Sequence, residues 1–185
     1  MTSADVLPKL SGREALSLLQ TGKPVCGHHI VGRLLLPVYD TCAWPVTIEN
    51  CWLDEVEASG VSFKAPVHLL NSHINKCAFT QAHFLQGLQI ENCVFDDYLD
   101  FSSGGHNQPG FLVCLQRNVF HRFVNFFDCW YRAEVRIEHN DFRGETNLLS
   151  SADNYTTFDV EPLIQDNTGN LHRVDEGELP TEQLG

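Results

Sequence analysis

Short apolar triplets recur every five or six residues between Val46 and Leu148, and they limit what this chain can fold into more than any other feature. They begin Val46-Thr47-Ile48, Cys51-Trp52-Leu53, Val61-Ser62-Phe63 and Val67-His68-Leu69, and end Asn140-Asp141-Phe142 and Thr146-Asn147-Leu148. The first position is small or β-branched, the third is large and apolar, and the middle one varies. Alternation over three residues predicts a very short strand whose outer two side chains share one face. The residues between triplets are commonly Asn, Asp, Glu, Gly or Arg, which turn the chain.

Four triplets make a longer period. Val46, Val67 and Leu88 are 21 residues apart, Val113 follows after 25 and Val135 after a further 22. The longer step contains the turn-rich stretch 102–110, read as an insertion. One triplet cannot bury its apolar face alone, whereas stacked coils give a continuous core. A four-strand period near 21 therefore predicts a square, parallel β-solenoid. No run sustains the i, i+3, i+4, i+7 pattern of an amphipathic helix beyond two turns.

This grammar resembles the pentapeptide-repeat family over residues 28–150. Size alternation and the four-sided period carry the resemblance, while the family's Ala-Asp/Asn-Leu signature is largely absent. The resemblance implies an all-β fold, a right-handed quadrilateral parallel β-helix, here of about five to six coils. Some bacterial members mimic duplex DNA and bind DNA gyrase, so a DNA-mimic role is one reading it implies.

Stacking predicts columns of core residues: Ile48, Leu69, Ile90, Leu115 and Ile137; Leu53, Ile74, Phe95, Phe120 and Phe142; Phe79, Phe101, Phe126 and Leu148; Phe63, Phe84 and Tyr131. Both ends need covering. Residues 1–27 form an N-terminal cap in which Ser11 and Glu14 supply a capping box for a short helix, and Gly22 sits where it stops. Residues 151–185 are read as a C-terminal lid, anchored by Phe158, Val160 and Leu163, followed by an acidic tail.

Twenty-four acids against 12 bases give a formal charge of −12, the wrong sign for holding phosphates, so no direct nucleic-acid partner is expected. No apolar run is long enough to span a membrane, and the N-terminus has no basic, apolar leader. Seven cysteines without a Cys-x-x-Cys pair read as reduced thiols in a cytoplasmic protein. Cys51, Cys77, Cys93 and Cys129 fill the small inward position.

The nine histidines show no helical metal spacing, and His68, His73 and His83 point to three different sides of one coil, so no metal or other cofactor is expected. No nucleophile triad or phosphate-cradling loop appears. The expectation is a non-catalytic module for protein–protein interaction, an immunity, effector or adaptor protein. Its site is an acidic corner at Glu49, Asp54, Glu55, Glu91, Asp96 and Asp97, extended by the outward Trp52. The partner is a protein with a basic surface, and a homodimer formed through a cap is the alternative assembly. A solenoid carbohydrate-active enzyme using the Asp96-Asp97-Asp100 region and a structural assembly module are the alternatives. The 102–110 loop with His106 is one other candidate surface, and the outward Trp130 side is another.

Overall fold

The computed structural model describes residues 4–150 and 154–174. It is a parallel β-solenoid of about six turns with one short helix at its N-terminal end. The first side is a seven-stranded sheet running from Val25–Cys26 through Val46–Glu49, Val67–Leu70, Leu88–Glu91, Val113–Gln116 and Val135–Glu138 to Leu163–Gln165. Its register is the one the period dictates, with Val46, Val67, Leu88, Val113 and Val135 in one line.

The second and third sides belong to one nine-stranded sheet, because the long strands His29–Leu35, Trp52–Glu57 and His73–Ala78 run on past a corner. On the fourth side Thr41–Cys42, Ser62–Phe63 and His83–Phe84 are joined to Trp130–Tyr131 and Thr157–Phe158 through bridges at Gly105.

The expected columns form the core. Ile48, Leu69, Ile90, Leu115 and Ile137 are buried, as are all members of the three aromatic-rich columns. Phe95, Phe120 and Phe142 stack with centroids 5.3 and 4.9 Å apart, near the coil spacing of about 4.8 Å. Cys51, Cys77, Cys93 and Cys129 are buried and unbridged.

Each coil turns two corners in left-handed backbone. Asn50, Asn71, Asn92, Arg117, His139 and Asp166 hold one corner, and Tyr39, Gln81, Ser103, Asp128 and Tyr155 another, all with φ between 49° and 58°. Asn tolerates this region better than other residues with a Cβ. The Asn92 amide also donates to the Asn71 amide oxygen at 3.2 Å, so part of this corner is a ladder.

The N-terminal cap follows its sequence signals. Helix Gly12–Gln20 starts at Ser11, whose hydroxyl accepts from the Glu14 N–H while Glu14 accepts from the Ser11 N–H. It ends where Lys23 and Gly22 donate back to the carbonyls of Leu18 and Leu19, a Schellman turn that needs the positive φ of Gly22. Ala15 and Leu19 are fully buried beneath it, with Leu16 packed alongside.

Two expectations are revised. The stretch expected as a C-terminal lid carries further strands: Thr157–Phe158 extends the fourth side and Leu163–Gln165 the first. Phe158 stacks on Tyr131, but Val160 and Leu163 are exposed, and Ile164, in register with Ile137, is the inward residue. The acidic tail from residue 175 lies outside the described residues.

The insertion also moves. Ser102–Gly105 keep the coil register, since five residues separate Asp100 from Gly105 just as five separate Ala78 from His83. Eight then separate Gly105 from Val113 where five separate His83 from Leu88, so three of the four extra residues fall in 106–112, and the fourth falls in 96–98, between Phe95, the partner of Ile74, and Leu99, the partner of Cys77. Buried Asn107 fixes that stretch by donating to the Phe111 and Glu134 carbonyls and accepting from the Arg132 N–H.

Candidate functional site

The seven residues expected to form one acidic corner fall into three groups. Glu49 and Glu91 lie two coils apart at the end of the first side, in register with Leu70 between them. Glu91 is engaged by the Arg117 guanidinium and by Gln89 at 3.0 Å, and Glu49 accepts from Asn50 at 3.3 Å. These two carboxylates serve their own corner.

Trp52, Asp54 and Asp96 belong to a row on the second side. The outward residues there are His29, Trp52 and His73 on three successive rungs. Asp54 Oδ1 meets His29 Nε2 at 2.8 Å, and its Oδ2 accepts from the Gly32 N–H at 2.8 Å. Asp96 meets His73 Nε2 at 2.5 Å. The Trp52 indole lies flat on the His73 ring and is half-buried rather than freely presented. Partial burial pushes the Asp54 carboxyl up, but the His29 and Gly32 hydrogen bonds outweigh it and leave the group below its ordinary value.

Glu55 and Asp97 meet at the third side. With Glu57, Asp100, Lys76, Thr80 and Tyr98 they line a shallow cavity of about 300 Å³. Arg33 pairs with Glu55 at 2.5 Å, which raises the guanidinium pKa through that hydrogen bond and charge. Lys76 has the register position to bridge Glu55, yet it makes no ion pair among the described residues. Glu57 and Asp100 stay fixed, Glu57 by the Ser59 hydroxyl at 2.6 Å and Asp100 by the Thr80 hydroxyl at 2.7 Å.

Sequence reasoning overlooked the histidine partners, although a signal exists. Asp54 lies two residues beyond Trp52, the rung partner of His29, and Asp96 lies two beyond Val94, the rung partner of His73. An outward His with an acid at that offset one coil later marks a cross-coil pair.

A column of amides, buried at Asn118 and Asn140 and half-buried at Asn167, was also overlooked. Asn118, Asn140 and Asn167 occupy the column that Cys51, Ser72 and Cys93 fill earlier in the chain. Each amide oxygen accepts the backbone N–H of the previous coil, and each amide nitrogen donates to a carbonyl, Ile90, Leu115 and Ile137 in turn. A polar side chain fits this core slot because the stack supplies its partners.

Among the described residues no three His, Cys, Asp or Glu are grouped to hold a metal ion, and no helix is long and apolar enough to cross a membrane. In comparisons with protein-family models, with curated proteins and with solved structures, nothing matched the chain.

Proposed function

We propose that the protein is a non-catalytic, cytoplasmic interaction module of pentapeptide-repeat type, binding a protein partner with a basic surface. The observation that carries this reading is the third-side cavity, which Glu55, Glu57, Asp97 and Asp100 line together with a single base, Lys76. Four carboxylates, three on strands and Asp97 in the bend before Leu99–Asp100, form a charge pattern already ordered before binding, which limits the entropy cost of association. Such a pattern steers a cationic partner and weakens as salt rises. An immunity, effector or adaptor role uses a surface of this kind.

The His29–Asp54 pair supports a structural rather than a catalytic use of these two residues. His29 gives Nε2 to Asp54, and its Nδ1 is buried without a partner. That ring has no nitrogen left at the surface to take a proton from a nucleophile.

The test reverses charge at two residues of the cavity, in the double variant Glu55→Lys/Asp97→Lys, which gives up the Glu55 pair with exposed Arg33 and the Asp97 bond to the Tyr98 N–H. Asp54 and Asp96 are left alone because they hold His29 and His73. Tagged wild type and variant, matched by circular dichroism, are incubated with host lysate at rising salt, and bound proteins are identified by mass spectrometry. The expected result is a basic partner held by the wild type at low salt and lost by the variant. Retention by the variant with unchanged salt dependence overturns the site. Cleavage of a polysaccharide by the pure protein, abolished by Asp100→Asn, overturns the non-catalytic reading.

A further inference from the structure

The fourth side carries a ring cluster with no part in the acidic cavity. His83 stands outward on one rung, and the next rung is occupied by Gly105, which bridges His83 on one side and Trp130 on the other. Gly105 has φ 95°, and a Cβ there would lie 2.7 Å from the Trp130 carbonyl oxygen. With no side chain on that rung, the ring of the following residue, His106, enters the space. Its centroid is 4.1 Å from that of His83, with the planes tilted by 42°, and 5.4 Å from Trp130. The extra chain in 106–112, pinned by Asn107, holds His106 there.

The histidines of this chain are otherwise largely spoken for. His28 and His172 bond to carbonyls, His29 and His73 to aspartates, and His139 faces Asp166. Among the described residues, neither His83 nor His106 has a hydrogen bond to either ring nitrogen. Both rings are half-buried, and His83 opens on a cavity of about 310 Å³ that it shares with Tyr39, Gly60, Gln81 and Ser103.

We propose that His83 and His106 form a two-imidazole site for a borderline divalent transition metal such as Cu(II), Ni(II) or Zn(II). Neutral imidazole is the ligand these ions prefer, and χ2 of histidine is soft, so rings this close can aim one nitrogen each at a shared ion. Two protein ligands leave the remaining positions to water, so the site is open and exchangeable rather than structural. Because His106 comes from the inserted chain, the ion ties that segment to the preceding coil.

Cu(II) is the probe. Bound between His83 and His106 it lies beside Trp130, whose ring is partly exposed, so saturable quenching of tryptophan fluorescence reports it. One equivalent is expected to saturate the quench. His83→Ala and His106→Ala are each expected to weaken it at least tenfold, while His28→Gln leaves it unchanged. Retention of wild-type affinity by either alanine variant overturns the proposal. A second measurement does not depend on the variants folding. The electron paramagnetic resonance spectrum of the wild-type complex must show coupling to nitrogens of two imidazoles, and coupling to fewer overturns the site.

Discussion

The His73 ring lies against the Trp52 indole with centroids 3.7 Å apart and planes 6° from parallel, and its far nitrogen is held by Asp96 from the next coil. Three coils are thereby tied along the outer surface of the second side, independently of the core. His73→Ala removes the stack and leaves Asp96 without its partner. An aromatic pair contributes about 0.5–1.5 kcal/mol beyond area burial, and a hydrogen bond to a charged group about 1.5–3 kcal/mol. Asp96 is partly exposed, so the lower ends apply, and the expected cost is about 1–2 kcal/mol in urea unfolding. His73→Phe, which keeps the ring and loses the nitrogen, is expected to recover part of it.

Asp54 makes the acid limb of the stability curve testable. Its carboxyl pKa lies below the ordinary 3.8 in the folded protein. A depressed acid contributes stability that is fully present above the unfolded value and is lost as pH falls through the folded one. The expected effect of Asp54→Asn is a shallower loss of stability below about pH 4, with little change in slope above pH 5. Unfolding midpoints between pH 2 and 7 measure it. Identical slopes for variant and wild type below pH 4 would contradict the assignment.

The large and small positions of the triplets differ most sharply from the corners in what truncation does. Phe120 is buried between Phe95 and Phe142, so Phe120→Ala is expected to cost about 3–5 kcal/mol. Asp97→Ala loses one bond to the Tyr98 N–H and is expected to cost under about 0.5 kcal/mol. Equal shifts in urea for the two variants would mean that inward and outward are misassigned.

The core was legible from these triplets because size alternation is a strictly local signal. Val46, Val67 and Leu88 announce the coil length without any knowledge of their neighbours. The acidic site was only half legible, for a physical reason. Glu55 and Asp97 reach one cavity, but the state of Asp54 and Asp96 depends on His29 and His73 across the coil gap. That relation exists only once register is fixed to the residue. The same holds for the insertion. Glycines and serines at 102–105 look like a loop, yet they stay in the rung, and most of the extra length falls after them.

The buried amides test that dependence on stacking. Asn118 accepts from the Cys93 N–H and donates to the Ile90 carbonyl and the Asn140 amide oxygen. Alanine at 118 leaves the Cys93 N–H without its acceptor and takes a donor from the Ile90 carbonyl, while the Asn140 amide oxygen keeps the Asn118 backbone N–H; a buried orphan costs about 1–3 kcal/mol. Asn118→Ala is therefore expected to destabilise by at least about 2 kcal/mol. Asn118→Ser is expected to cost less, because Ser72 fills the same column and its hydroxyl accepts the Cys51 N–H at 3.1 Å. A serine variant as unstable as the alanine one would refute the interchange.

Thiol reactivity is the last expectation, and it separates cysteines that the sequence treats alike. The thiolate is the reacting form, and burial disfavours it. Burial raises the thiol pKa to about 11 at Cys42 and to about 12 at Cys93 and Cys129, and raises it at Cys51 and Cys77 as well. All five are also closed to a reagent. Cys114 is half-buried on the first side between Gln89 and Arg136, its pKa raised by burial and then by Glu91 and Glu138. Cys26 is exposed, and burial and Glu49 raise its pKa too. Titration of the native protein with a disulfide reagent at pH 8 is expected to give one fast equivalent from Cys26 and one slower from Cys114. The other five follow only as urea unfolds the solenoid. Cys26→Ser is expected to abolish the fast phase and leave the unfolding midpoint within about 0.5 kcal/mol of wild type. Fast reaction of any third thiol in the folded protein would place one of the core columns at the surface.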